Sequence, residues 1–134
     1  MSKTVVIIDP TPLVRIALRD SLTTVGYKVV DGASVDVVAG QLARLGSDTE
    51  VTAVVVDFWM DGHQTWDING FRAVHGLERR FGSEWRIVVT SDDPDPHLAE
   101  RVHSTGAAFL RKPFGLANLL SAIEPHAEGR PRAA

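Results

Sequence analysis

The sequence predicts an α/β domain in which five strand–helix units build a doubly wound parallel sheet with helices on both faces. Short runs that are apolar throughout, such as those ending at Asp9 and Asp57, are typical of strands buried on both faces. They alternate with segments whose apolar residues recur at helical spacing. The chain has 134 residues, of which 44% are hydrophobic and 23% charged, as expected for one globular domain.

The first two units are bounded by residues that start and stop helices. Thr4–Ile8 is a β-branched apolar run and is predicted to be the first strand. Tyr27–Val30, which follows the first helix, is predicted to be the second strand. Ser and Thr before an apolar stripe cap a helix, Pro is favoured in its first turn, and Gly ends it. The residues that serve these purposes are, in chain order, Thr11, Pro12, Gly26, Ser34 and Gly46.

The later units keep the same alternation. Val51–Val56, apolar except for the β-branched Thr52, is predicted to be a strand that ends at Asp57, and a loop is predicted from Phe58 to about Asp67. The remaining predicted elements are a helix carrying Phe71, Val74 and Leu77, a strand at Arg86–Val89, a helix at about Pro96–Ser104, a strand at Ala107–Leu110 and a helix at Leu116–Ile123. We therefore expect a domain over residues 1–124 and a flexible tail over 125–134.

Composition excludes several functional classes. The chain has no cysteine, which excludes disulfides, zinc–thiolate sites and a cysteine nucleophile. The net charge is −3 and no large basic cluster is present, so direct nucleic-acid binding is not expected. No apolar run approaches the length of a membrane span and no secretory signal is evident, so we expect a cytoplasmic protein without membrane insertion. Glycine-rich phosphate-binding motifs are absent.

The residues that follow the predicted strands carry the chemistry. In open parallel sheets the site lies at the carboxyl ends of the strands, which here places Asp9, Asp57, Thr90 and Lys112 at one edge. Two neighbouring carboxylates favour a cation between them, and Mg²⁺ prefers oxygen ligands. An ammonium and a hydroxyl suit the oxygens of a phosphoryl group. These residues indicate phosphoryl transfer to Asp57, with Thr90 and Lys112 holding the oxygens of the product.

Five segments of the chain resemble a known family. They are VVIIDPTPLVR (5–15), VVVDFWM (54–60), DING (67–70), VVTS (88–91) and GAAFLRKPF (106–114). With these motifs the chain resembles the receiver domain of two-component response regulators over almost its whole length.

The resemblance implies a fold, a reaction and a switch. The fold is flavodoxin-like, with strand order 2-1-3-4-5. Asp57 would be the phosphoacceptor, receiving a phosphoryl group from a partner histidine kinase or phosphotransfer protein. Thr90 and Phe109 match the pair that reorients on phosphorylation. Lys112 matches the lysine that contacts the phosphoacceptor, and its bond to Pro113 matches a peptide bond that is usually cis.

The resemblance also implies a Mg²⁺ site with an unusual ligand set. Asp9, Asp57 and the backbone carbonyl of Trp59 match metal-binding positions. Pro10 stands where relatives have the acid that binds the metal directly, so Mg²⁺ binding is expected to be weak. The loop after Asp57 is longer than in relatives, and Asp61 within it is a possible substitute ligand.

Two surfaces are expected from the same resemblance. The first helix, with Leu13 and Ile16 as candidate contacts, would dock the phosphodonor. The last two helix–strand units, about Asp95 to Ile123, would form a homodimer or bind another partner.

Three functions remain open from the sequence. The first is a working phospho-switch, supported by Asp57, Thr90 and Lys112. The second is a degenerate receiver that acts as a phosphorylation-independent interaction module, supported by Pro10 and the long loop. The third is an unrelated Mg²⁺-dependent phosphohydrolase. Such an enzyme usually needs an acid two residues after the nucleophile, and Trp59 stands at that position.

Overall fold

The structure is a computed structural model that describes residues 3–46, 48–60, 63–64, 68–82 and 84–124. It confirms the predicted alternation of strands and helices. In chain order the elements are β1 (Lys3–Ile8), α1 (Pro12–Thr24), β2 (Lys28–Gly32), α2 (Val35–Leu45), β3 (Glu50–Asp57), β4 (Trp59–Met60), β5 (His63–Gln64), α3 (Ile68–Phe81), β6 (Arg86–Ser91), α4 (Leu98–His103), β7 (Ala108–Arg111) and α5 (Leu116–Ile123).

Five of the strands form one parallel sheet in the order β2-β1-β3-β6-β7. Because β6 and β7 are the fourth and fifth strands of this sheet, the predicted order 2-1-3-4-5 is confirmed. β1 and β3 lie inside the sheet, and Val5–Ile8 is inaccessible to solvent. Strands covered in this way must be apolar throughout, which is the pattern that predicted them.

Side chains alternate between two cores, one on each face of the sheet. Val6 and Ile8 point into the core formed with α2, α3 and α4. Val5 and Ile7 point into the core formed with α1 and α5. The helix residues that complete these cores are Val38, Leu42, Val74, Leu77, Leu98 and Val102 on the first face and Leu18, Leu22, Leu119 and Ile123 on the second. Helices on both faces were predicted, and the fold is the flavodoxin-like one.

The start of α1 differs in detail from the prediction. Thr11 occupies the N-cap position, but its side chain makes no capping hydrogen bond within the described chain. The Asp9 carboxylate instead accepts a hydrogen bond from the Thr11 backbone N–H at 2.9 Å. Ser34 does cap α2, since its hydroxyl accepts from the N–H of Val37 at 3.3 Å. The Asp9 carboxylate therefore holds the residue that precedes α1, and it does not cap the N–H groups of the first turn.

The predicted loop after Asp57 contains a short antiparallel pair. Trp59 and Met60 of β4 pair with Gln64 and His63 of β5. Two-residue strands are too short to show the alternation that identifies a strand in sequence, so this hairpin was missed.

Two sequence predictions fall on parts of the chain that the structure does not describe. Asp61, the possible substitute ligand, lies outside the described residues, as does the predicted tail over 125–134. Within the described residues, no helix combines the length and the apolar character needed to cross a bilayer.

Candidate functional site

Asp9 and Asp57 lie side by side at the carboxyl end of the sheet. β1 and β3 are neighbours, with Ile8 level with Val56, so the residues that follow them share one edge. Asp9 is 2% exposed and Asp57 is 8% exposed. The Asp9 backbone N–H donates to the Gly32 carbonyl at 3.1 Å, which fixes this edge to β2. Buried carboxylates require charged or hydrogen-bonding partners.

Lys112 supplies that partner to both carboxylates at once. Its ammonium lies 2.9 Å from Oδ2 of Asp9 and 2.8 Å from Oδ1 of Asp57. The Lys112 backbone N–H donates to the Ser91 carbonyl at 2.8 Å, and the Lys112–Pro113 peptide bond is cis. Strand β7 thus places the lysine over the strand ends, as the sequence predicted.

The ionisation of Lys112 follows from this environment. Partial burial of the ammonium lowers its pKa, but hydrogen bonds and charge attraction from Asp57 and Asp9 outweigh burial, so the pKa is raised above 10.5. The charged lysine is therefore the form that the folded site stabilises.

We expect the folded protein to lose stability above about pH 10. The raised pKa of Lys112 means that the folded state binds this proton more tightly than the unfolded state, whose value is near 10.5. Burial, helped by the charge and hydrogen bond of Glu124, likewise raises the pKa of Tyr27 above 10.0. The contributions of Lys112 and Tyr27 to the free energy of unfolding are complete below their unfolded-state pKa values. Each contribution is lost as pH rises through the higher pKa that the group has in the folded protein. Urea unfolding from about pH 8 to pH 11 measures this loss.

A Tyr27→Phe variant is the matched control, because it removes one of the two titrating groups. The variant should retain the part of the alkaline loss that belongs to Lys112. An unfolding free energy that stays constant across this pH range in the parent protein would contradict the expectation.

Thr90 lies next to the last residue of β6, beside Asp57. It is 1% exposed and is level with Asp57 in the pairing of β3 with β6. Its carbonyl accepts a hydrogen bond from the Phe58 backbone N–H at 2.8 Å. The next residue, Ser91, uses its hydroxyl to accept from the Asp93 N–H at 3.0 Å, so the loop after β6 is held to the strand end.

The Phe109 ring is in contact with Arg111, which the sequence analysis did not identify. Phe109 is half-buried in β7 and packs against the core on the side of α4. The Arg111 guanidinium carbon lies 5.3 Å from the centre of its ring. Arg111 also donates to the carbonyls of Asp93 and Asp95, the latter at 3.2 Å. The sequence did carry a signal for this contact. Phe109 and Arg111 are two residues apart on one strand, and side chains with that spacing share a face of the sheet.

Arg15 on α1 is a second contact that was not predicted. It donates to the Asp9 carbonyl at 2.6 Å and lies 3.3 Å from Oδ2 of Asp31 at the end of β2. Arg19, one helical turn later, also pairs with Asp31. The two arginines therefore hold the β1–α1 loop and the end of β2 next to the site.

A divalent cation at this site would have to share the two described carboxylates with the Lys112 ammonium. Oδ1 of Asp9 accepts from the Thr11 N–H and Oδ2 accepts from Lys112, so each Asp9 oxygen already holds one hydrogen bond. Pro10 has neither a carboxylate nor an N–H. In the part of the chain that the structure describes, no group of three or more His, Cys, Asp or Glu residues could hold a metal ion.

Comparison with known proteins identifies the family of the chain. The family model described as "Response regulator receiver domain" matches residues 5–124. A search of curated protein sequences gave no significant match.

Solved structures share the fold. The chemotaxis protein CheY4 of Vibrio cholerae is similar with a TM-score of 0.66 and 20% identity, over 90% of this chain and 94% of that one. A response regulator from Thermotoga maritima gives 0.67 and 20%, over 90% and 93%. A response regulator protein from Burkholderia pseudomallei, solved with a phosphorylated aspartic acid, calcium ion and citrate, gives 0.69 and 19%, over 92% and 67%.

Proposed function

The chain belongs to the response regulator receiver family, and from this premise we propose that it is a two-component signalling receiver phosphorylated on Asp57. The donor would be a partner histidine kinase or phosphotransfer protein. The chain would signal by a conformational switch and would catalyse only its own phosphorylation and dephosphorylation. The observation that carries the proposal is the contact of the Lys112 ammonium with both Asp57, at 2.8 Å, and Asp9, at 2.9 Å.

The chemistry assigned to each residue is simple. An oxygen of Asp57 attacks the phosphorus of a phosphohistidine, a P–O bond forms, and the P–N bond breaks with its electron pair returning to the imidazole. That imidazole then takes a proton. The Lys112 ammonium and the Thr90 hydroxyl are suited to holding the phosphoryl oxygens, where negative charge is concentrated. The solved relative from Burkholderia pseudomallei, with its phosphorylated aspartic acid, supports this assignment.

The switch that we propose couples Thr90 to β7. Movement of the Thr90 hydroxyl toward a phosphoryl group would pull the loop that follows β6. Arg111 links this loop to the Phe109 ring, because it contacts the carbonyls of Asp93 and Asp95 and lies over the ring. The surface from Asp95 to Ile123 would then change shape, and it remains our proposed surface for a homodimer or an output partner.

The phosphodonor is proposed to dock on the face of α1. Leu13 is 76% exposed and Ile16 is 54% exposed, and large apolar side chains exposed together mark contact surfaces. Leu13 lines an apolar groove of about 520 Å³ that Pro113 and Phe114 line from the other side. The groove reaches Lys112, so a histidine presented by a partner helix would lie close to Asp57. We place this exchange in the cytoplasm.

Replacing Asp57 with asparagine is expected to abolish phosphorylation, because a neutral amide lacks the carboxylate oxygen that forms the acyl phosphate. The full chain is incubated with Mg²⁺ and a small-molecule phosphodonor, and intact-mass spectrometry counts the phosphoryl groups added. Asp20→Asn, at an exposed position on α1, is the matched control and should accept one group as the parent does. Uptake that persists in the Asp57→Asn variant would show that another residue is the acceptor.

A degenerate receiver is the second candidate, and Pro10 is the observation that favours it. A site that lacks the directly ligating acid would serve as an interaction module held in one state. Failure of the parent chain to take up a phosphoryl group from both the small donor and a phosphorylated histidine kinase would favour this function.

A further inference from the structure

The charged residues that the structure describes around Asp57 form one cluster in which opposite charges are matched. Lys112 bridges two carboxylates, and Arg15 connects the backbone of one of them to a third carboxylate. The members of this strand-end cluster are Asp9, Asp31, Asp57, Arg15, Arg19 and Lys112. Three negative side chains are therefore matched by three positive ones within one set of contacts.

Adding a divalent cation would disturb this balance. Two further positive charges would lie beside the Lys112 ammonium in a part-buried site, where like charges repel more strongly than in water. The cation would also have to share Asp9 with two hydrogen-bond donors, because one of its oxygens accepts from the Thr11 N–H and the other from Lys112. Asp92, which lines the groove at the mouth of the site, is exposed, so its charge is well hydrated.

We propose that Lys112 is the resident cation of the resting site and that Pro10 is the reason why the site does not load Mg²⁺ at millimolar concentration. A carboxylate at position 10 would give the cluster an excess negative charge and a side-chain ligand that no described contact engages. The inference rests on the proposed function, since it assigns the cation of the same site.

The test is isothermal titration of the metal-free full chain with MgCl₂ at constant ionic strength. The parent protein should give no saturable binding. Pro10→Asp should bind Mg²⁺ at least about tenfold more tightly than the parent. Pro10→Asn is the matched control, because it restores the N–H and a side chain of the same shape without the charge, and it should behave as the parent does.

Two results would overturn the proposal. One is saturable binding by the parent with an affinity close to that of Pro10→Asp. The other is an equal gain in Pro10→Asn, which would assign the effect to the backbone rather than to charge. If circular dichroism shows that Pro10→Asp does not fold, the parent titration decides alone, with saturable binding overturning the proposal and its absence supporting it.

The titration contains no phosphodonor, so it separates this inference from the proposed function. Mg²⁺ binding by a parent protein that is also phosphorylated on Asp57 would reject the inference and leave the function standing. Absence of both binding and phosphorylation would support the inference and reject the function.

Discussion

Replacing Lys112 with methionine is expected to lower the free energy of unfolding by about 3 kcal/mol at neutral pH, because removal of one partner leaves buried charges uncompensated. The Lys112 ammonium forms an ion pair with both Asp9 and Asp57. These two residues are 2% and 8% exposed. Methionine preserves much of the side-chain volume, so the loss reports mainly on charge. Urea denaturation of the parent and the variant measures it.

A double-mutant cycle with Asp57→Asn is the control for this prediction. Asparagine removes one of the two charges that Lys112 neutralises, so the cost of Lys112→Met should fall by about 1 kcal/mol or more in that background. Additive effects of the two substitutions would mean that the lysine and the carboxylate are not coupled, and the 2.8 Å contact would then carry little energy.

Replacing Phe58 with alanine is expected to cost about 3–5 kcal/mol of unfolding free energy, which is a large part of the stability of a domain. Phe58 follows Asp57, is 1% exposed and is the largest fully buried side chain of the described core. Arg101 of α4 places its guanidinium carbon 5.7 Å from the centre of the ring. Deletion of the ring therefore opens a cavity between the end of β3 and the helices that pack on that face.

Phe58→Leu is the matched control, because leucine keeps most of the buried volume and should cost less than about 2 kcal/mol. The backbone hydrogen bond from Phe58 to the Thr90 carbonyl is available to all three residues, so it does not enter the comparison. A loss of less than about 1 kcal/mol in Phe58→Ala would show that the surrounding side chains collapse into the space.

Most of the sheet could be predicted from local patterns. Val5–Ile8 and Ala53–Val56 are apolar throughout because both of their faces are covered, and this composition is visible in the chain itself. Asp9 and Asp57 interrupt those runs at the carboxyl ends, so their convergence followed once the strands were known to be parallel. Local patterns were less informative at the start of α1, where Thr11 stands at the N-cap position without a capping hydrogen bond and its own N–H donates to the Asp9 carboxylate.

By itself, the sequence determined the order along the chain of the five sheet strands and their helices, the covering of both sheet faces and the edge at which Asp9, Asp57, Thr90 and Lys112 lie, because these depend on periodicity and on the polarity of neighbouring residues. Only the tertiary structure decided which cations pair with Asp9 and Asp31. Lys112 and Asp9 are 103 positions apart, and Arg15 reaches Asp31 from a different element. Such contacts depend on side-chain reach across strand ends and helices, and no local pattern encodes that distance.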